Sequence, residues 1–181
     1  MRWDELFADL EAQLEAAERA ELGAEVADRT RREWARVPWA ARLRSAHGCR
    51  LVLRVEGAGP LEGELVDSGP GWLLLGSGVR AAVVAAPAVL AVSGLPARSA
   101  VEEGEVARRL DLGYVLRGLV RERAALDVVL RDGTVLHGTG DRVGADWLDL
   151  AVHPADRARR SGEVRGVQTL PLPALAVVRP G

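Results

Sequence analysis

The 181-residue chain contains no lysine, no isoleucine and no asparagine. These are the amino acids with AT-rich codons, so a GC-rich coding sequence accounts for all three gaps together. All 24 basic residues are therefore arginine, and arginine richness by itself says little about phosphate recognition. A formal charge of −2 and a pI near 6.0 lack the basic balance of a typical nucleic-acid-binding domain. The missing lysine also excludes a phosphate loop that closes on Gly-Lys. The single cysteine, Cys49, cannot form an internal disulfide, and with His47 two residues away it has no further partners to complete a zinc set. No apolar run approaches the roughly 18 residues of a membrane span. The start, Met1-Arg-Trp-Asp-Glu-Leu-Phe7, is acidic and amphipathic, unlike an export signal. A cytoplasmic protein is expected. Aromatic residues make up only 4%, so the core must be built from Ala, Val and Leu.

Catalytic groupings are equally scarce. Ser45, His47 and the scattered carboxylates form no nucleophile or acid–base arrangement. The expectation is a protein that is not an enzyme, with no cofactor, metal or small-molecule substrate.

What the chain does have is internal similarity. Leu51 to Leu75 lies over Leu126 to Leu150 without a gap, matching at Leu51/Leu126, Leu61/Leu136, Gly63/Gly138, Gly69/Gly144, Trp72/Trp147, Leu73/Leu148 and Leu75/Leu150. Pro87-Ala-Val89 then lies over Pro173-Ala-Leu175. Similarity of this kind points to a doubled unit. A Trp repeated inside an apolar strand reads as core, although exposed aromatics can also stack nucleobases.

Charge is segregated along the chain. Residues 1–30 carry nine acids against Arg2, Arg19 and Arg29, and residues 31–54 carry seven arginines against Glu33. Trp3, Phe7, Leu10, Leu14 and Ala17 alternate at spacings of four and three, a helical stripe about two heptads long. Gly23 either breaks this helix or weakens it. The two readings are a helical hairpin folded back on itself and a helix that associates with a partner through Trp3, Phe7, Leu10 and Leu14. A short helix follows from Pro38 to about Ala46, with Trp34 and Trp39 flanking Pro38 as candidate contact points.

Strands follow. Leu51, Leu53 and Val55 alternate with Val52 and Arg54, as a half-buried strand requires. Glycine-rich turns separate Leu61–Val66, Trp72–Leu75 and Arg80–Ala85, and Pro87-Ala-Val-Leu90 suits a 3₁₀ turn. Val106 to Arg123 reads as helix. The scheme then repeats, with Asp132-Gly133 as a tight hairpin turn and a longer loop from His153 to Gly166.

A leading helix, a five-stranded meander, the Asp-Gly hairpin and the stretch Val128-Val-Leu-Arg-Asp-Gly-Thr-Val-Leu-His-Gly-Thr-Gly-Asp-Arg-Val143 resemble the Sm/LSm-like family. The whole chain is similar to proteins of GC-rich bacteria that join an acidic helix to two such units. The resemblance implies an α+β fold: N-terminal helices followed by two SH3/Sm-like five-stranded small β-barrels connected by a helix. The expected boundaries are a helical region at 1–47, the first barrel at 48–95, linker and helix at 96–124, and the second barrel at 125–181. Family members bind a base with an Asp and an Asn after the bent strand. The corresponding segments, Gly144-Ala-Asp-Trp-Leu-Asp149 and Gly69-Pro-Gly-Trp-Leu-Leu74, contain no Asn, so those roles do not transfer.

The leading functional expectation is a non-catalytic binding or assembly module. It would use the acidic helix and exposed strand edges to self-associate or hold a protein. The alternative is an RNA-binding regulator working through Arg142, Arg157, Arg159, Arg160 and Arg165, arginines able to neutralise phosphates.

Overall fold

A computed structural model describes residues 2–78, 80–100, 110–154 and 166–181. The chain divides into two compact units, Met1–Pro38 and Trp39–Gly181. The first unit is dominated by helix α1 (Arg2–Trp34). Gly23 does not interrupt it, and the hairpin reading is replaced by one rod about 50 Å long at 1.5 Å per residue. Its surface is laced by pairs one turn apart, including Glu15–Arg19 at 3.6 Å, Arg29–Glu33 at 3.4 Å and Asp28 with Arg32. Such pairs each add a few tenths of a kcal/mol to an exposed helix, enough to offset one interior glycine.

In the second unit, helix α2 (Trp39–Arg44) buries Ala41 and Leu43. Strands β1 (Arg50–Val55), β2 (Gly59–Gly69), β3 (Trp72–Ser77), β4 (Arg80–Ala85) and β5 (Val89–Ser93) follow. Helix α3 (Leu112–Arg121) is capped by Asp111, whose Oδ1 accepts the Tyr114 backbone N–H at 2.7 Å. Strands β6 (Ala125–Leu130), β7 (Val135–Val143), β8 (Trp147–Val152), β9 (Gly166–Pro171) and β10 (Leu175–Pro180) complete the unit. Short 3₁₀ turns at Ala86–Ala88 and Leu172–Ala174 precede β5 and β10.

The two separate barrels expected from the sequence are not present. The ten strands of the described residues form one open antiparallel sheet in the order β5-β1-β2-β3-β4-β10-β6-β7-β8-β9. Each five-strand half turns its last strand back onto its first, pairing β5 with β1 and β10 with β6. Closing a half would require β4 on β5 or β9 on β10. Instead β4 crosses to the other half, pairing Val84 with Val177 and Val83 with Val178.

Burial explains this joint. Successive strand residues point to opposite faces. Val84 belongs to one core cluster, with Leu51, Leu53, Leu65, Leu73 and Val177. Val83 belongs to the other, with Trp72, Leu116, Leu126, Leu150 and Val178. β4 and β10 are thus apolar on both faces, as central strands are. The four valines are 0–3% exposed. At about 1.5–3 kcal/mol for each fully buried valine, they contribute roughly 6–12 kcal/mol gross.

Candidate association surface

Among the described residues the open sheet ends on β5 and on β9. Along β5 runs a shallow apolar groove of about 310 Å³, lined by Trp39, Val89, Leu90, Ala91, Val92 and Leu95. Leu90 is 62% exposed and Trp39 43%. α2 brings Trp39 there because Ala41 and Leu43 on its other side enter the core. The segment after β5 is tied back to α2 by Ser45 Oγ donating to the Arg98 carbonyl at 2.8 Å and by the Ala100 N–H donating to the Ala41 carbonyl at 2.9 Å. This fixes one wall of the groove.

At the other end, β9 presents exposed Val167, Gln168 and Thr169. Thr169 Oγ1 donates to Asp149 at 2.6 Å, and Arg142 Nη2 lies 3.0 Å from the same buried carboxylate. Asp149 therefore anchors the edge strand to β8. Neither β5, Val-Leu-Ala-Val-Ser, nor β9, Gly-Val-Gln-Thr-Leu-Pro, contains a charged residue.

The two repeated tryptophans sit alike yet are covered differently. Each indole fills the space beside a glycine, Gly69 for Trp72 and Gly144 for Trp147, where an added Cβ would come within 2.6 and 2.3 Å of the ring nitrogen respectively. Trp72 is buried, and its Nε1 donates to the Leu110 carbonyl at 2.7 Å. Trp147 is only half-buried, so the expectation of two equivalent core tryptophans holds at the first position alone.

The sequence-derived candidates fall in three places. Trp3, Phe7, Leu10 and Leu14 lie on α1, 51–72% exposed. Arg142 lies on β7, engaged with Asp149. Arg157, Arg159, Arg160 and Arg165 lie outside the described residues. The histidines are held by neighbouring side chains: His47 Nε2 by Ser68 Oγ at 2.9 Å, His137 Nδ1 by Asp127 at 2.5 Å, and His153 Nε2 by Thr139 Oγ1 at 2.9 Å. Beside the His47–Ser68 pair, Asp67 Oδ1 accepts the Ser68 backbone N–H. Among the described residues, no three metal-ligating side chains converge, and no helix is long and apolar enough to cross a membrane.

Sequence reasoning singles out neither Leu90 nor Val167: it puts Leu90 in the 3₁₀ turn, whereas the turn ends at Ala88 and Leu90 lies in β5, and it puts Val167 in a strand without showing that this strand ends the sheet. Their signal was available: large aliphatic residues in short strands lacking any charge. A scan against protein-family models finds no match to this chain, and a search of curated proteins finds none either.

Proposed function

We propose that this protein is a non-catalytic association module that binds protein by adding an extended strand to its free sheet edges. The observation carrying this reading is that both end strands are uncharged and one borders an apolar groove. Sheet edges left to solvent are usually blunted by charged side chains or proline, because their unpaired N–H and C=O groups template pairing with another chain; β5 has neither, and β9 carries a proline only at its last residue, Pro171. Strand addition uses those groups for affinity and side-chain pockets for selectivity. The Trp39–Leu90 groove is of the second kind. The exposed stripe of Trp3, Phe7, Leu10 and Leu14 supports a second contact through α1.

The test is light scattering of the purified chain beside Leu90→Asp. A carboxylate on the β5 edge should lower the associated mass toward that of one chain, while circular dichroism stays unchanged because Leu90 is exposed. Deleting residues 1–30 should weaken association further. Unchanged mass in both variants refutes the reading.

A further inference from the structure

Resting on the association reading, in which α1 supplies a second contact, we infer that α1 pairs with α1 of a second copy. The two helices run side by side in the same direction, through a short seam from Trp3 to Ala17. Trp3, Phe7, Leu10, Leu14 and Ala17 are all exposed. Their alternating spacings of four and three give the a and d positions of a heptad, Phe7 and Leu14 at a, Trp3, Leu10 and Ala17 at d. A stripe of this period packs against a helix of the same period, each side chain entering a gap between four on the facing helix. The next a positions are Glu21 and Asp28. Two copies would bring like charges together there, so the contact stops after Ala17.

The rows flanking the stripe decide the occupant and its direction. On one side, at e, stand Glu11 and Glu18; on the other, at g, stand Gln13 and Ala20. All four are exposed. In a parallel pair, a g residue of one helix lies beside the e residue five places further along the other, so Gln13 meets Glu18 of the second copy. The Gln13 amide gives one N–H to Asp9 at 2.9 Å and has a second to give that carboxylate. The reverse direction sets e against e. Glu11 and Glu18 of one copy would then face the same acidic row on the other, and like charges repel. α1 is thus complementary to itself in one direction only, an acidic row laid against an uncharged row that can donate to it.

The helix's own ion pair does not stand in the way. Glu15 and Arg19, 3.6 Å apart, occupy b and f positions, on the side that stays in water when the seam closes. A seam of little more than two heptads holds two free helices weakly. Between chains already joined at a sheet edge it acts at a raised effective concentration, and so adds to strand addition.

The experiment uses the full chain carrying Cys49→Ser, with either Ala17→Cys in the seam or Glu15→Cys on the solvent side. Oxidised at the same concentration, Ala17→Cys should give a disulfide-linked dimer and Glu15→Cys none, because a seam residue comes within disulfide reach of its own copy only when the helices run the same way and in register. Gln13→Arg, in the chain otherwise unmodified, gives an independent readout by light scattering. The two opposite-charge pairs it forms with Glu18 should tighten association by about 2- to 30-fold, a gain that added salt removes. If Ala17→Cys links no more than Glu15→Cys, or if Gln13→Arg leaves association unchanged or loosens it, while Leu90→Asp still lowers the associated mass, the inference falls and strand addition stands. A chain that stays monomeric at every concentration, with no cross-link from either cysteine, overturns the inference and strand addition together.

Discussion

Two glycines in one hairpin allow a stability prediction with a built-in control. Gly57 lies in the turn between β1 and β2 and Gly59 is the first residue of β2, with φ of +71° and +73°. An alanine at either position must adopt the left-handed region, at a cost of roughly 1–2 kcal/mol. What the new methyl group meets differs completely. At Gly59 nothing lies within 4 Å, whereas at Gly57 the Cβ would sit 2.2 Å from the Leu130 carbonyl oxygen and 2.8 Å from the Gly133 nitrogen. Those are backbone atoms of the β6–β7 hairpin and cannot swing aside. The tip of one hairpin must lift off the other, straining the Glu56–Arg131 pair, whose atoms are 2.7 Å apart. With both side chains about 40% exposed, that pair contributes about 0–1 kcal/mol, so most of the effect comes from overpacking, about 1–3 kcal/mol.

Gly59→Ala should therefore destabilise by about 1–2 kcal/mol and Gly57→Ala by about 2–5 kcal/mol. Urea unfolding reads the difference as a lower midpoint at unchanged slope. In thermal melts, at roughly 2–4 °C per kcal/mol for a chain of this size, the excess amounts to about 2–12 °C. Equal midpoints for the two variants would refute the packing of hairpin tips between the halves.

Three further outcomes follow from the same geometry. Val177→Ala removes two buried methyl groups at the joint, about 2–3 kcal/mol once transfer and cavity terms are combined, and Trp39–Gly181 should still unfold in one transition; two resolved transitions would show that the halves are independent. The Thr134 backbone N–H, donating to Asp132 Oδ1 at 2.8 Å, holds that carboxyl below the usual carboxylate value. With the folded pKa depressed, its contribution to stability is full above the unfolded value and is lost as pH falls through the folded one; an NMR titration midpoint for Asp132 at or above the ordinary value would contradict this. Binding to RNA pools should be absent even at low salt, and retention that weakens steeply with added salt would return the five arginines to consideration.

Much of the fold was legible because half-buried strands announce themselves. Leu51, Leu53 and Val55 alternate with Arg50, Val52 and Arg54, and all three of the former are buried. The turn residues were equally plain, and β4 covers Arg80–Ala85, the span marked by the flanking glycines and proline. The joint between halves was not read, although it had a signal. Ala81-Ala-Val-Val-Ala85 and Leu175-Ala-Val-Val178 are unbroken apolar runs, the pattern of strands covered on both faces. Alternation says which side of a strand is dry. It does not say which two strands are neighbours when their partners lie about ninety residues apart (Val84 and Val177). The closed barrels implied by resemblance needed β4 beside β5, and the pairing of Val83 and Val84 with β10 decided otherwise.

The candidate site was less legible for a related reason. Arginines and repeated tryptophans attract attention as side chains, whereas a sheet edge is a property of backbone groups that no residue type encodes. Its trace in the sequence is negative: the lack of charge in Val89–Ser93 and Gly166–Pro171, in a chain where 28% of residues are charged. At that frequency, a strand of five or six residues would ordinarily carry one or two charges. Two strands with none, occupying the two ends of the same sheet, are what association through those ends requires, since a charge carried into the new joint would have to be desolvated. Introducing one charge at either end, Leu90→Asp at β5 or Gln168→Glu at β9, should therefore weaken association alike, although the two positions lie at opposite ends of ten strands. If concentration-dependent light scattering showed loss from one substitution only, the two ends would have different partners.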